Sequence, residues 1–304
     1  MSLAVVIPVF NEEKGLLAHV REIDRIFRAD GIDAAYMLVD DGSRDATWQV
    51  VKQLHEELPG VSGIRFARNF GKETAISAGL AAAEGDVYLV MDSDLQHPPR
   101  CVKGMLALLE SSGADIVDGV KEFRGHETFK QKVLARGFWR VLKAMTGLDL
   151  DNSSDFKLLR RPVVEEIRKM PEHNRFFRAL VDYVGFKRVD FSFSVDDRDD
   201  GTSRFSTRAS LRLAMNAILS NTALPLFLAF LLAFVCCAGA LADVIFMIVR
   251  ACLHAGVPEA AWVCLTVLLV GAMVLGCLGI AGAYLARMYD EVKGRALYIV
   301  SERV

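Results

Sequence analysis

The predicted fold is organised around the stretch Val87-Tyr-Leu-Val-Met-Asp-Ser-Asp-Leu-Gln-His-Pro-Pro99. Its first five residues are apolar, which predicts a buried strand, and the two prolines at its end stop that strand. Two carboxylates, Asp92 and Asp94, follow the strand with one residue between them. In open α/β sheets, ligands bind at the carboxyl ends of the strands. The two aspartates therefore stand where a ligand site is expected.

The chemistry of this pair favours a metal bound together with a phosphate group. Two close carboxylates repel each other unless a cation lies between them, and oxygen ligands suit Mg²⁺ or Mn²⁺. Mg²⁺ is usually held by one or two protein carboxylates together with substrate phosphates. The pair therefore indicates a metal–diphosphate site. The alternative is an acidic turn after a strand, and this stretch alone leaves both interpretations open.

The composition excludes several classes of protein. The chain has 304 residues, 52% of them apolar, and a net charge of −2, with the apolar excess concentrated after Asn221. Without a basic excess there is no footprint of a nucleic-acid-binding protein, so no nucleic-acid partner is expected. The six cysteines fit neither a secreted disulfide framework nor a metal-ligand spacing. Leu3–Phe10 is too short for a signal peptide and contains Pro8, so we expect a first strand there.

Strands and helices alternate through the first 120 residues. Apolar runs predict further strands. Each is followed by a segment in which apolar residues recur at helical spacing or small residues dominate, and these segments predict helices. This alternation predicts an α/β fold with a mostly parallel sheet covered on both faces. The runs after the first strand include Val61–Phe66, Val87–Met91 and Asp115–Gly119.

Acidic residues follow three of the predicted strands: Glu12, then Asp40 and Asp41, then Asp92 and Asp94. Short loops after parallel strands place all three groups along one edge of the sheet. Each group alone is compatible with a helix cap or a solvated turn. Together they indicate a nucleotide pocket, in which carboxylates bind base N–H groups and ribose hydroxyls while the last pair holds a metal on the diphosphate.

Several motifs resemble a known family. Val6-Ile-Pro-Val-Phe-Asn-Glu12, Val39-Asp-Asp-Gly-Ser43 and Asp92-Ser-Asp-Leu-Gln-His-Pro-Pro99 are similar to the motifs of inverting family 2 glycosyltransferases of the GT-A (Rossmann-like) fold. More narrowly, they resemble the polyprenyl-phosphate glycosyltransferases, which include the dolichol-phosphate mannose synthase and bactoprenol glucosyltransferase groups. Arg68-Asn-Phe-Gly-Lys-Glu73 and Tyr284-Leu-Ala-Arg-Met-Tyr-Asp-Glu-Val-Lys293 resemble the bacterial group. The resemblance covers nearly the whole chain.

The resemblance implies a donor site and a metal site. His97 adjoins the metal motif, but with Pro98 beside it we interpret it as part of the loop structure rather than as a ligand. The metal, Mg²⁺ or Mn²⁺, is implied to contact Asp92, Asp94 and Gln96. The nucleotide-sugar pocket is implied to include Pro8, Phe10, Glu12, Val39, Asp41, Asp92 and Ser93.

The resemblance also implies residues for the acceptor side. Ser154-Asp-Phe-Lys157 is similar to the segment that carries the family's candidate catalytic carboxylate, here Asp155, whose alternative interpretation is an acid at the start of a helix. Arg198 matches a basic residue ahead of a glycine turn, and Arg204 stands where the family often has lysine. With Arg124, these arginines are candidates to hold the acceptor phosphate or the donor diphosphate. Each taken alone is compatible with an ordinary surface arginine.

The expected chemistry is a single displacement that inverts the anomeric carbon. A metal neutralises the leaving diphosphate, and positioning places the acceptor oxygen behind the sugar. An alcohol acceptor needs a general base, whereas a phosphomonoester has a second pKa of about 6 and is largely dianionic at neutral pH. We therefore expect Asp155 to orient the acceptor or take a late proton.

The C-terminal third indicates a membrane protein. The uncharged runs Ala223–Ala242 and Ala260–Ala286 are long enough to cross a bilayer. Basic residues flank both runs, so the positive-inside rule places the catalytic domain in the cytoplasm and the protein in the plasma (inner) membrane as a multi-pass protein. Glycines in the second run allow close helix approach within or between subunits, so a homo-oligomer is possible.

The predicted organisation has three parts. Residues 1–204 form the catalytic domain, which includes an amphipathic helix at about 126–147 that lies at the membrane interface or packs on the core. Residues 205–221 form a juxtamembrane amphipathic helix. Residues 222–304 form the membrane domain, with spans at about 222–249 and 260–286 and a cytoplasmic tail.

The predicted function is transfer of a sugar from a nucleotide donor to polyprenyl phosphate. The bacterial motifs favour UDP-glucose and undecaprenyl phosphate, by resemblance only. One alternative is another donor sugar, such as GDP-mannose or a UDP-aminosugar. A second alternative is a non-catalytic membrane subunit that binds a nucleotide sugar.

Overall fold

The structure, a computed structural model, describes residues 1–121, 153–173, 175–194, 224–252 and 259–304. It divides into two compact units, one comprising Met1–Arg204 with Ala296–Val304 and the other Phe205–Arg295. The predicted amphipathic helices at about 126–147 and 205–221 fall outside the described residues. The candidate phosphate-binding residues Arg124, Arg198 and Arg204 fall outside them as well.

Among the described residues, the first unit holds eight strands in one sheet. The strands are β1 (Leu3–Val9), β2 (Ala34–Asp40), β3 (Val61–Phe66), β4 (Val87–Val90), β5 (Ile116–Lys121), β6 (Ser153–Arg160), β7 (Arg188–Phe193) and β8 (Val300–Arg303). Their order across the sheet is β7-β5-β6-β4-β1-β2-β3-β8. β1 pairs in parallel with β2 and β4, and β2 pairs in parallel with β3. The predicted α/β fold with a mostly parallel sheet is therefore confirmed.

Helices cover both faces of this sheet. They are α1 (Leu16–Ala29), α2 (Thr47–Glu57), α3 (Lys72–Ala82), α4 (Val102–Ser112), α5 (Arg161–Lys169) and α6 (Phe177–Tyr183). Every residue of β1 is buried, as expected for a central strand without polar alternation. Val5 and Ile7 belong to the core under α1, α2 and α4, whereas Ala4 and Val6 belong to the core under α3, α5 and α6.

The strand β6 places Asp155 beside the acidic motif. β6 runs antiparallel to both β4 and β5, and its register pairs Val90 with Lys157. Asp155 lies two residues beyond that pair, next to the loop that carries Asp92. The alternative interpretation of Asp155 as an acid at the start of a helix is wrong, because Ser153–Arg160 is extended and inserted into the sheet.

The predicted membrane domain of residues 222–304 is wrong at its C-terminal end, because the last nine residues, Ala296–Val304, belong to the first unit. β8 pairs antiparallel with the edge strand β3, so the last residues belong to the first unit. Glu302 fixes the tail: its carboxylate accepts from Trp48 Nε1 at 2.8 Å and from Arg65 Nη1 at 3.0 Å, and lies 2.9 Å from Lys52 Nζ. Tyr298 stacks on Phe66 at 5.0 Å between ring centroids. The tail is thus an edge strand of the sheet in the first unit.

Helix α3 approaches the sheet closely at Gly79, and this gives a first prediction. A Cβ there would collide with Val6 Cγ1 and lie 3.2 Å from Val39 Cγ2. We expect Gly79→Ala to lower the free energy of unfolding by about 1–3 kcal/mol, because the closely packed strands cannot move away from the added methyl group. Denaturant unfolding followed by far-UV circular dichroism measures the change.

The matched control is Ala81→Ser, since Ala81 is exposed on the same helix. It is expected to change stability by less than about 0.5 kcal/mol. Equal stability of the two variants would contradict the close packing of α3.

The second unit contains two long helices, α7 (Leu224–Cys252) and α8 (Glu259–Val292). They contact each other where Cys277 Sγ donates to the carbonyl oxygen of Ala229 at 3.3 Å. Within the described part of the chain, one window, Leu269–Ala286, is long and apolar enough to cross a membrane. It lies inside the second predicted span, and the first span, which corresponds to α7, stays a prediction.

Candidate active site

A cavity of about 390 Å³ lies at the carboxyl ends of β1, β2 and β4. This volume falls in the range of about 300–1,000 Å³ that small-molecule sites occupy. The structure brings together most of the predicted donor and metal residues here, as expected from their positions after parallel strands. The lining residues are Pro8, Val9, Phe10, Glu12, Asp41, Asn69, Gly71, Lys72, Asp92, Ser93 and Asp94.

Of the predicted site residues that the structure describes, three do not line this cavity. The side chain of Val39 is buried in the apolar cluster under α3, with Ile64 and Phe66. Gln96 donates its backbone N–H to Asp94 Oδ1 at 3.1 Å, and its side chain is not part of the lining. Asp155 lies behind the lining, in contact with Lys72.

Glu12 and Ser93 join the loops after β1 and β4. The Ser93 hydroxyl donates to Glu12 Oε2, and the Glu12 backbone N–H donates to Thr47 Oγ1 at 2.8 Å. Burial raises the pKa of Glu12, the Ser93 hydrogen bond opposes this, and the nearby Asp94 adds to the rise. The side chain is thus held at the cavity wall.

Asp41 has a structural task in addition to its predicted one. Its Oδ1 accepts from the N–H of Phe70 at 2.6 Å, and its Oδ2 accepts from the N–H of Gly71 at 2.9 Å. Gly42, with φ of +69°, makes this approach possible, because a Cβ there would collide with the main chain of Arg68. Asp41 therefore anchors the loop that delivers Lys72 to the cavity.

The loop of Asp92 and Asp94 is held in a constrained conformation. Leu95 has φ of +60°, which is unfavourable for a residue with a branched side chain. The N–H of Asp92 donates to His97 Nδ1 at 2.9 Å, so the proton of the neutral ring lies on Nε2. The buried His97 ring stacks on Phe156 of β6 at 5.0 Å. His97 therefore supports the loop, as its sequence context predicts, and ties it to the strand of Asp155.

The residues at this edge fit the predicted metal. Asp92 and Asp94 offer oxygen donors only, the ligand type that Mg²⁺ and Mn²⁺ prefer. Within the described residues, no group of three or more His, Cys, Asp or Glu side chains is arranged to hold a metal. Two carboxylates alone leave most of an octahedral shell to other oxygens, which a diphosphate supplies. The donor set therefore suits a metal held jointly by the protein and a phosphorylated substrate.

A chain of charges connects the cavity to Asp155. Lys72 Nζ lies 2.6 Å from Asp92 Oδ1 and 2.9 Å from Asp155 Oδ2, and Arg178 Nε lies 2.8 Å from Asp155 Oδ1. Burial raises the pKa of Asp155, but Arg178 and then Lys72 outweigh it and hold that pKa well below its usual range. Burial lowers the pKa of Lys72, and Asp155 and Asp92 outweigh this and raise it. Lys72, Arg178 and Asp155 are therefore charged at neutral pH.

Glu73 fixes the geometry of this charge chain. It accepts the backbone N–H of Phe177 at 2.7 Å and so joins the first turn of α3 to the start of α6, which carries Arg178. Burial raises the pKa of Glu73 to about 7, with a further increase from Asp155 and a decrease from the Phe177 N–H. Lys72 and Arg178, on two different helices, thus meet at one carboxylate.

Sequence reasoning missed Lys72, Asn69, Gly71 and Arg178 as site residues. The first three lie in the motif Arg68–Glu73, which carried the family resemblance without a role for any single residue. A glycine followed by lysine at a helix start is a recognisable anion-binding pattern. Arg178 lies in α6 with no distinctive neighbours, and only the folded structure places it beside Asp155.

Comparison with known proteins places these features in a family. The protein-family model described as glycosyl transferase family 2 matches residues 4–168 of this chain. The chain is 33% identical over 302 residues to the uncharacterized glycosyltransferase YkcC of Bacillus subtilis (strain 168), with coverage of 98% of this chain and 93% of the relative. It is 28% identical over 305 residues to a prophage bactoprenol glucosyl transferase homolog of Escherichia coli (strain K12), with coverage of 99% and 98%.

A solved structure shares the fold. The crystal structure of mannosyl-3-phosphoglycerate synthase from Rubrobacter xylanophilus superposes with a TM-score of 0.50 over 72% of each chain, at 14% sequence identity. At this identity the likeness concerns the fold alone.

Proposed function

Because this chain belongs to glycosyl transferase family 2 and is a glycosyltransferase of the GT-A fold, we propose that it transfers glucose from UDP-glucose to undecaprenyl phosphate. The observation that carries the reaction type is the cavity at the strand ends, where Asp92 and Asp94 meet a charge chain that ends at Asp155. The choice of glucose and of the lipid acceptor is supported by relatives named bactoprenol glucosyl transferase, at 28–29% identity over nearly the whole chain.

The donor occupies the cavity. Phe10, 43% exposed at the wall, offers an apolar face for the base, and Glu12 and Asp41 offer carboxylates at the same wall. Asp92 and Asp94 hold the divalent metal together with the donor diphosphate, and Gln96 lies in the same loop. When bound, the metal stabilises the charge that develops on the leaving diphosphate.

Asp155 positions the acceptor. Its depressed pKa makes it a weak proton acceptor, so it is poorly suited to generate a nucleophile from an alcohol. A phosphomonoester needs no such base, because its second pKa of about 6 leaves it largely dianionic at neutral pH. Arg178, paired with Asp155, adds positive charge beside the position of the acceptor phosphate. The electrostatics of Asp155 therefore favour a phosphate acceptor over a hydroxyl acceptor.

The helices of the second unit anchor the enzyme at the membrane that contains its acceptor. α7 spans 29 residues and α8 spans 34, each longer than the roughly 20 residues that cross a hydrocarbon core. We place both across the bilayer, with the catalytic unit on the cytoplasmic side by the positive-inside rule. Arg124, Arg198 and Arg204 remain candidates for the acceptor phosphate on sequence grounds.

A donor panel tests the assignment of the sugar. The purified full-length protein in detergent is incubated with undecaprenyl phosphate, Mg²⁺ and one of UDP-glucose, UDP-N-acetylglucosamine or GDP-mannose. We expect a lipid-linked hexose from UDP-glucose alone. Product from another donor would show that the sugar of that donor, and not glucose, is transferred. No product from any donor, with UDP still bound, would favour the non-catalytic nucleotide-sugar-binding subunit.

A further inference from the structure

Lys72 stands between the donor side and the acceptor side of the site. Its ammonium group contacts Asp92, a proposed metal ligand, at 2.6 Å and Asp155, on the acceptor side, at 2.9 Å. The side chain is 44% exposed and lines the cavity. It is therefore accessible to a ligand in the cavity while it is paired with both carboxylates.

The charge balance of the cavity gives Lys72 a special position. Of the described residues that line the cavity, four are acidic and one, Lys72, is a cation. A donor diphosphate is an anion, so it needs positive charge in order to bind beside these carboxylates. Among the described lining residues Lys72 supplies that charge, and a divalent metal would add to it. Lys72 already contacts Asp92, which is also a proposed metal ligand.

We propose that Lys72 and the divalent metal compete for Asp92, so that metal binding transfers the Lys72 ammonium from Asp92 to the donor diphosphate. This inference rests on the proposed function for the identity of the donor. An ammonium group and a divalent ion beside the same carboxylate repel each other, and the repulsion persists at short range even in water. When the metal binds Asp92, the donor diphosphate becomes the new anionic partner of Lys72.

The second contact of Lys72 makes this transfer possible. Asp155 keeps Arg178 at 2.8 Å, so its carboxylate stays paired when Lys72 moves towards the donor. Glu73, next to Lys72 in α3, remains bonded to the N–H of Phe177 and holds the backbone of the helix start in place. Movement is thereby limited to the flexible lysine side chain. When metal and donor bind, Asp155 on the acceptor side loses its contact with the Lys72 ammonium group.

Mn²⁺ binding to the full-length protein in detergent tests the competition directly. The variants are Lys72→Met, which removes the charge and keeps the length, and Lys72→Arg, which keeps the charge. Without nucleotide, we expect Lys72→Met to bind Mn²⁺ about tenfold more tightly than the wild type, since one positive charge near the ion is removed. Lys72→Arg should bind Mn²⁺ like the wild type. Electron paramagnetic resonance of free Mn²⁺ gives the affinities.

UDP binding provides the second readout. In saturating Mn²⁺, Lys72→Met should bind UDP about tenfold more weakly, because a diphosphate contact is lost. Lys103→Met serves as the control, since the exposed Lys103 pairs with the half-buried Asp30 at 3.4 Å and lies outside the cavity lining. If Lys72→Met does not fold, Lys72→Gln replaces it, with the same expectations.

Unchanged or weaker Mn²⁺ binding by the uncharged variants would overturn the proposal and leave Lys72 as a structural ion pair. The Mn²⁺ readout without nucleotide is independent of the donor and lipid assignments, because it requires neither a nucleotide nor turnover. Failure of the donor panel with an intact competition effect would therefore count against the proposed function alone.

Discussion

Asp94→Asn is expected to reduce glucosyl transfer at least about 100-fold, the scale of losing one electrostatic contact to a developing charge. Asp94 lines the cavity beside Asp92, and the neutral amide is a much weaker metal ligand than a carboxylate. The amide oxygen still accepts the N–H of Gln96, so the loop should keep its shape. Lipid-linked product per minute at saturating Mg²⁺ is the measurement.

The control for this variant is Asp33→Asn, an exposed aspartate ahead of β2. It should keep wild-type turnover. If Asp94→Asn also kept it, the alternative of an acidic turn after a strand would be correct, and the metal assignment would be wrong.

Asp155→Asn is expected to have the second largest effect, on both turnover and stability. The substitution leaves the cations Lys72 and Arg178 facing a neutral amide. Removing one partner of a buried ion pair costs about 3–5 kcal/mol, and we expect the low end, about 3 kcal/mol, because Lys72 is partly exposed. Turnover should fall at least about 100-fold, because the acceptor site and the charge chain are disturbed together.

The pH dependence of the loss identifies its cause. The folded-state pKa of Asp155 lies below its ordinary value of 3.8, so the unfolded chain takes up this proton more readily than the folded chain. The stabilisation by Asp155 is complete above the unfolded pKa and is lost as the pH falls through the folded pKa. The stability difference between wild type and Asp155→Asn should therefore shrink as the pH falls below about 4.

Denaturant midpoints at several pH values measure this difference. Asp182→Asn, which removes an exposed pairing with Arg188, is the control and should change stability by less than about 1 kcal/mol. A difference for Asp155→Asn that did not shrink in acid would show that lost packing, rather than the ion pairs, destabilises the variant.

The parallel part of the fold was predictable because its information is local. Leu3–Val9 and Val87–Val90 are apolar runs that end in polar turns, and both are strands. β8 was not predictable, since four residues after a long helix carry no strand pattern, and the pairing with β3 joins segments that are distant in sequence. β6 was hidden for a related reason: its buried Lys157 pairs with Asp118, so polar residues interrupt the apolar pattern.

The candidate site was predictable where residue positions alone decide it. Glu12, Asp41 and Asp92 follow parallel strands, so the sheet brings them to one edge. The resemblance gives the position of Val39 but not the direction of its side chain, which packs under α3. The ion pairs of Asp155 depend on α3 and α6 meeting at β6, which no local pattern specifies.

The proposed reaction is metal-dependent transfer of a sugar to a lipid phosphate. Undecaprenyl phosphate and undecaprenol are compared as acceptors for radiolabelled UDP-glucose, using the full-length protein with Mg²⁺ or with EDTA. We predict label in the organic phase with undecaprenyl phosphate and Mg²⁺ only. Equal transfer to undecaprenol would show that the acceptor phosphate is not required, and transfer that survives EDTA would show that the metal is not required; either result would contradict the proposed reaction.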